Sequence, residues 1–287
     1  MEQFLAGLRQ ADHGYGMVPG EASAALPTAF ALLSLKPRQG SVQRGELQET
    51  AFRLTRWQQE NGSLELLQGQ YPCTWPTMLF IWALSAFPEF KPARDRALDC
   101  LLNQMKSSKP NSLVVMGNAG GDCDLDSWGW CDHNYSWVVP TALAVCALKA
   151  TGRGGDLRTG QASRMLLQRQ LPSGGWNYGN TIVLESELLP LPDTTGLALY
   201  ALAGKAVEAD VTKSLAYAAQ AWEVEKAPLS LAWLCLGLNA WNHPVPDAEK
   251  KLGRACAETL GIGLLNAELA GMTILALSWL PQGKVRI

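Results

Sequence analysis

The chain has few charges, no cationic excess and no long apolar run, and each lack excludes something. Charged side chains make up 17% of the 287 residues, and 24 Lys and Arg against 26 Asp and Glu leave a formal net charge of −2. Proteins that grip a phosphate backbone carry a basic footprint, so nucleic acid is not expected as a partner. No apolar run reaches the roughly 18 residues that a membrane span needs, so no transmembrane segment is expected. The opening residues Met1-Glu2-Gln3-Phe4-Leu5 lack the basic start and apolar centre of a secretory signal, and a cytoplasmic location is expected. A regular cysteine framework is also missing. The seven cysteines are odd in number and irregularly spaced, and some, such as Cys146 and Cys235, lie inside apolar runs. They read as reduced thiols.

What is present is apolar surface and tryptophan. Apolar residues reach 47%, enough for a large core, and there are 11 Trp. Each indole brings an N–H that needs a partner when buried, so so many suggest either an aromatic-lined cavity or wedges between helices.

One phrase recurs: proline, threonine, then an apolar helix ending in leucine. Leu26-Pro27-Thr28 leads to Leu35, Trp75-Pro76-Thr77 to Leu84, Val139-Pro140-Thr141 to Leu148, and Asp193-Thr194-Thr195 to Leu202. In each copy the leucine lies seven residues after the threonine, and weaker copies run from Leu231 to Leu238 and from Ala270 to Leu277. Pro suits the first turn of a helix, and Thr or Ser near the start can cap free N–H groups. The segments that follow are apolar all round, which predicts buried helices starting near Leu26, Trp75, Val138, Asp193, Leu229 and Asn266. Amphipathic helices precede them, at Gly45 to Gln59, Ala93 to Met105, Gln161 to Gln170, Asp210 to Trp222 and Asp247 to Leu260. The expected fold is all-α, an (α/α)6 toroid of six helical hairpins. The chain is expected to form one domain, 1–287, with repeats at about 1–37, 45–87, 92–150, 157–204, 210–240 and 247–280. An open solenoid is the rival arrangement.

The links between outer and inner helices carry a second signature. Gln170-Leu-Pro-Ser-Gly174-Gly-Trp176 fits Q-x-x-x-G-x-W, Gln58 to Leu64 fits with Leu in place of Trp, and Gln10 to Gly16 keeps the Gln and Gly. This resembles the QW motif of squalene and oxidosqualene cyclases, in which the Gln ties an outer helix end to an inner helix start. The third repeat, Trp128-Gly-Trp130 through Thr141, is similar to the prenyltransferase/squalene-oxidase-repeat proteins. The resemblance covers nearly the whole chain and implies the toroid of squalene cyclases, class II terpene cyclases and protein prenyltransferase β-subunits.

Two links are long, Lys106 to Ser136 and Leu171 to Pro192, while those of repeats five and six are only a few residues. Long loops in compact proteins are commonly functional, so the rim above repeats three and four is the expected mouth of a site. Class II terpene cyclases protonate an alkene with an acid from D-x-D-D and shield the cation with aromatic faces. The matching segment here is Leu191-Pro192-Asp193-Thr194. The resemblance places Asp193 on the proton donor, with Leu191 and Thr194 replacing the other two acids; a helix cap is the competing role for Asp193.

The third link holds Asp122-Cys123-Asp124-Leu125-Asp126, which could supply the missing acid, gather carboxylates around a diphosphate-bound magnesium ion, or form a solvated turn. Asp193, Asp124 and Asp126 are the candidate catalytic acids. Asp122, Cys123, Cys131 and His133 have the ligand types of a zinc site, but do not reproduce the spread Asp, Cys and His ligands of prenyltransferase β-subunits, so no metal is expected. Trp75, Trp82, Trp128, Trp130, Trp137 and Trp233 are the candidate substrate-binding rings; Trp176 and His243 read as structural, and His13, on the same rim, as a loop residue.

The resemblance implies a terpene cyclase, an isomerase acting on a hydrophobic isoprenoid-like molecule. No cofactor is expected, except magnesium if the substrate is a diphosphate. Peripheral membrane contact is compatible with such a substrate. The alternatives are a non-catalytic toroid that binds an isoprenoid or a partner, and a metal-dependent prenyltransferase-like subunit.

Overall fold

The structure, a computed structural model, describes residues 1–35, 43–66, 73, 75–105 and 125–280. Among these residues the chain forms twelve α-helices and one two-stranded ribbon. The outer helices are α1 (Glu2–Gly7), α3 (Gln43–Thr55), α5 (Lys91–Asp99), α7 (Leu157–Gln168), α9 (Glu208–Val224) and α11 (Ala248–Gly261). The inner helices are α2 (Ala25–Leu35), α4 (Trp75–Leu84), α6 (Val138–Ala150), α8 (Pro192–Leu202), α10 (Pro228–Ala240) and α12 (Ala267–Ser278). Each inner helix starts within one residue of its expected place. Each packs on the next, and α12 packs back on α2, so the ring closes. The toroid is therefore closed, and the open solenoid is excluded.

Burial follows the sequence pattern. In α6 every residue from Val138 to Leu148 except Val139 is buried, as a helix enclosed on all sides requires. In α11 burial is confined to the stripe Ala248, Leu252, Ala255 and Cys256, and the charged residues of the helix lie off that stripe.

The threonine of the recurring phrase caps a different group from the one expected. Its hydroxyl accepts no N–H of its own helix. Thr28 Oγ1 accepts the N–H of Tyr15 at 2.9 Å, Thr77 that of Leu64 at 2.9 Å, Thr141 that of Trp128 at 3.2 Å, and Thr195 that of Trp176 at 2.9 Å. Each buried link N–H thus finds an acceptor, and the link is pinned to the first turn of the inner helix.

The glutamine also differs from expectation. Gln58 Nε2 donates to the Ala93 carbonyl at 2.8 Å, and Gln170 Nε2 to Ser214 Oγ at 2.7 Å. Both acceptors belong to the next outer helix, so the amide joins outer helix to outer helix. The glycine four residues on has φ of 92° at Gly62 and 103° at Gly174, and a Cβ there would lie 2.3 Å from Arg96 O or 2.6 Å from the Lys213 backbone. Only glycine lets the link turn against its neighbour so closely.

Cationic side chains close helix ends around the ring. Lys149 Nζ donates to the carbonyls of Tyr200, Ala201 and Ala203 at 3.1, 2.9 and 2.6 Å, satisfying the end of α8. Arg158 donates to the carbonyls of Leu101, Leu102 and Met105, each at 2.8 Å, where α5 runs out through one π-helical turn, Cys100–Gln104. Helices α8 and α10 meet backbone to backbone. A Cβ on Gly196 would lie 2.3 Å from the Trp233 carbonyl carbon, and one on Gly237 would lie 2.5 Å from Gly196 O. That contact sets Asp193 and Trp233 on one stretch of the inner wall.

Candidate active site

Counting from the phrase's threonine position (28, 77, 141, 195, 231 and 270), two columns of residues face the axis. Two residues earlier stand Trp75, Val139, Asp193, Leu229 and Glu268; two residues later stand Phe30, Leu79, Leu143, Leu197 and Trp233. Residues four apart share one face of a helix, so these columns make two rings about 6 Å apart along the axis. Together with Thr194, Trp130 and Tyr178 they enclose a cavity of about 320 Å³ to which all six inner helices contribute. Trp130 and Tyr178 come from the third and fourth links. Those links hold each other: the Val138 N–H donates to Tyr178 O at 2.9 Å, and a methyl on Gly179 would meet the Trp137 ring at 3.0 Å.

An aromatic cluster adjoins the cavity through Trp233. Trp82 stacks on Tyr200 at 5.9 Å and 29°, and on Trp233 at 6.4 Å and 30°; Trp279 meets Tyr200 edge-on at 5.3 Å. Burial pushes the Tyr200 hydroxyl far above its usual pKa, so it stays protonated. In the upper wall Trp75 and Trp130 meet edge to face, 6.4 Å apart at 83°, a favoured aromatic geometry.

Among the described residues two carboxyl groups line this cavity. Asp193 follows Pro192 in the first turn of α8, whose N-cap residue is Leu191. It takes no capping bond from its own helix; Oδ1 receives the Thr194 hydroxyl at 3.4 Å. The capping role is therefore absent. Glu268 lies in the first turn of α12, where the cap is supplied by Asn266, whose Oδ1 accepts the Leu269 N–H at 3.0 Å. No described residue donates a hydrogen bond to Glu268, and burial pushes its carboxyl pKa up. Among the described residues no Lys, Arg or His lines the cavity.

The sequence candidates divide accordingly. Asp193, Trp75, Trp130 and Trp233 share the cavity wall. Trp82 does not line it and stacks on Trp233 behind the wall. Trp137 packs on the fourth link. Trp128 is not in the wall: it is 1% exposed, its indole N–H bonds Leu101 O at 3.0 Å, and the Arg158 guanidinium covers its ring at 4.1 Å. Asp126 also lies off the wall, paired with Arg158 at 3.2 Å. Asp122, Cys123 and Asp124 lie outside the described residues. Cys131 Sγ sits 3.7 Å from Cys73 Sγ, and His133 is exposed with Asp132 at 3.6 Å. Among the described residues no group of three or more His, Cys, Asp or Glu side chains is placed to hold a metal.

Solved structures share this architecture. A protein from Actinoplanes superposes with a TM-score of 0.59 at 18% identity, over 91% of this chain and 78% of that one. The type II terpene cyclase MstE from Scytonema matches with a TM-score of 0.58 at 14% identity, over 91% and 76%. The fold is class II terpene cyclase-like. The ent-copalyl diphosphate synthase from Streptomyces platensis matches with a TM-score of 0.57 at 15% identity, and the matched region is 52% of its length. No family model and no curated protein matches the sequence.

Sequence reasoning missed Glu268 and Tyr178. The signal for Glu268 was present: with the six copies in register, the column two before the threonine reads Leu, Trp, Val, Asp, Leu, Glu, two acids in an otherwise apolar set. The weak sixth phrase hid it. Tyr178 carries no such signal, because its place depends on how the fourth link folds over the third.

Proposed function

We propose that the chain is a class II-type isoprenoid cyclase, in which a cavity carboxyl protonates an alkene and aromatic faces stabilise the cation. The observation that carries this reading is the pairing of two carboxyls, Asp193 and Glu268, with Trp75, Trp130, Trp233 and Tyr178 in one central cavity that no basic side chain lines among the described residues. A protonated carboxyl beside π faces is the equipment that alkene protonation needs. The volume of about 320 Å³ is at the lower end of ligand pockets and suits a short linear isoprenoid. Magnesium would accompany the substrate only if that substrate is a diphosphate; no other cofactor is proposed.

No helix among the described residues is long and apolar enough to cross a membrane. The links at the mouth end nevertheless expose Leu184, Leu189, Ile262 and Leu264, each more than half exposed. These support a peripheral membrane contact that delivers apolar substrate, and co-sedimentation with phospholipid vesicles, weakened by Leu184→Ser with Leu189→Ser, tests it.

The main test is incubation with geraniol, farnesol, geranylgeraniol and their diphosphates, followed by mass-spectrometric search for ring-containing isomers. Wild type should form one, and the double variant Asp193→Asn, Glu268→Gln should not. The replacement of two family acids by Leu191 and Thr194 favours a second reading, a toroid that binds an isoprenoid without turning it over. Saturable binding of farnesol without any product would establish it instead.

A further inference from the structure

Two carboxyls in one cavity invite a division of labour, because a cyclisation begun by adding a proton must end by removing one. Asp193 and Glu268 stand at the same height on α8 and α12, with α10 and its Leu229 and Trp233 between them. A chain folded against α10 therefore meets one acid to either side of that helix. Their surroundings differ. Asn266 caps α12, which leaves Glu268 without a capping task, and no described group donates to it. The helices on either side of it present Phe30 from α2 and Leu229 and Trp233 from α10 to the cavity, none of which stabilises an anion. Asp193 has the Thr194 hydroxyl beside it at 3.4 Å, which suits an acceptor.

We propose that Glu268 is the proton donor of the cyclisation and that Asp193 is the carboxylate that takes the proton back from the final cation. The inference rests on the cyclase reading above. In the first step the Glu268 O–H bond breaks and its proton forms a C–H bond at one alkene carbon, leaving a cation on the other. A second alkene attacks that cation and closes a C–C bond. In the last step a C–H bond beside the new cation breaks, its electrons form a C=C bond, and its proton forms an O–H bond on Asp193. Substrate and product have the same atoms. Proton exchange with water resets both groups. The burial that pushes the Glu268 carboxyl up supports this order, since the donor must hold its proton when substrate arrives.

The test uses the full chain with farnesol and geranylgeranyl diphosphate as probes, and two readouts. In turnover, Glu268→Gln should cut cyclisation by about 10²–10⁴-fold, the usual contribution of a general acid, and Glu268→Asp should restore part of it. Asp193→Asn should still consume substrate but release a different double-bond isomer or a water-captured alcohol. Loss of all turnover in Asp193→Asn with wild-type rate in Glu268→Gln overturns the assignment. In infrared difference spectra at neutral pH, wild type minus Glu268→Gln should show the carbonyl stretch of a protonated carboxyl; an ionised Glu268 overturns the donor role without any substrate. Wild type that shows the protonated Glu268 but makes no cyclic product from either probe refutes the cyclase reading, and the donor role with it.

Discussion

Asp193 of α8 and Glu268 of α12 occupy equivalent positions in two copies of one repeat, both facing the cavity, yet among the described residues only Asp193 has a hydrogen-bond donor beside it. Burial without a donor raises the pKa of Glu268. A carboxyl whose folded pKa lies above its unfolded value binds more protons in the folded state, so stability falls as pH rises between the two values. Glu268→Gln removes that dependence. Its melting temperature relative to wild type should therefore rise from pH 4 to pH 7. A difference that stays constant with pH would show that Glu268 is not shielded from solvent. Among the described residues no cation lines the cavity to offset the shift, and Asp193 is the other titratable carboxyl there.

Thr195 offers a test of how the links are held. Its hydroxyl accepts the buried Trp176 N–H and lies 3.2 Å from Trp176 O. Thr195→Val keeps the shape and leaves a buried N–H unpaired, a loss of about 1–3 kcal/mol. Thr195→Ser keeps the acceptor and should lose much less. Urea unfolding of the two variants separates them; equal losses would point to methyl packing rather than the hydrogen bond.

Much of the fold is legible in the sequence because its physics is local. An apolar run behind Pro-Thr makes a buried helix wherever it occurs, and the inner helices of repeats three and four start at Val138, as expected, and at Pro192, one residue before the expected Asp193. The partners of the motif residues are not local. Thr141 bonds Trp128, and Gln170 reaches Ser214 on the following hairpin, so spacing alone assigns them to the wrong group. The site divides in the same way. Trp75, Trp233 and Asp193 lie in register with the threonine and face inward, whereas Trp128, which stands on a link, is drawn into a structural contact with Arg158.

The Gly196–Gly237 contact fixes how closely α8 approaches α10. A methyl on either residue meets backbone at 2.3–2.5 Å, so the helices must move apart. Overpacking of this kind costs about 1–3 kcal/mol. Gly196→Ala should therefore lower stability by that amount. It should also weaken any isoprenoid binding, since α8 carries Asp193 and Leu197 into the wall. Gly253, on outer helix α11 with no atom within 4 Å of its would-be Cβ, is the control. Gly253→Ala should be neutral or stabilising, because alanine is the better helix former. Similar losses at both positions in thermal unfolding would remove the helix-contact explanation.

Cys73 and Cys131 provide the last test. They face each other as antiparallel bridge partners with Sγ atoms 3.7 Å apart, and both are free thiols. Opposed residues of an antiparallel pair have Cα separations that a disulfide can span, so a small rotation of the side chains would let the bond form. Burial, with the hydrogen bond to Cys131 second, pushes the Cys73 thiol up to about 11. Its thiolate is scarce at neutral pH, and the thiolate is the attacking species. Oxidised glutathione should therefore convert the pair to a disulfide slowly at pH 7 and faster as the pH rises toward that value. The product should show a mass loss of two hydrogens in the peptide pair containing residues 73 and 131. The loop closed spans 58 positions, and chain entropy alone would favour the bridged form by about 4 kcal/mol at most, so its melting temperature should be higher than that of the reduced protein. Cys131→Ser should abolish both changes. The bridge would tie the segment next to Trp130 to the one leading into Trp75, the two rings that meet in the upper wall. An oxidised protein in which residues 73 and 131 remain free thiols would show that the two segments do not approach as closely in solution.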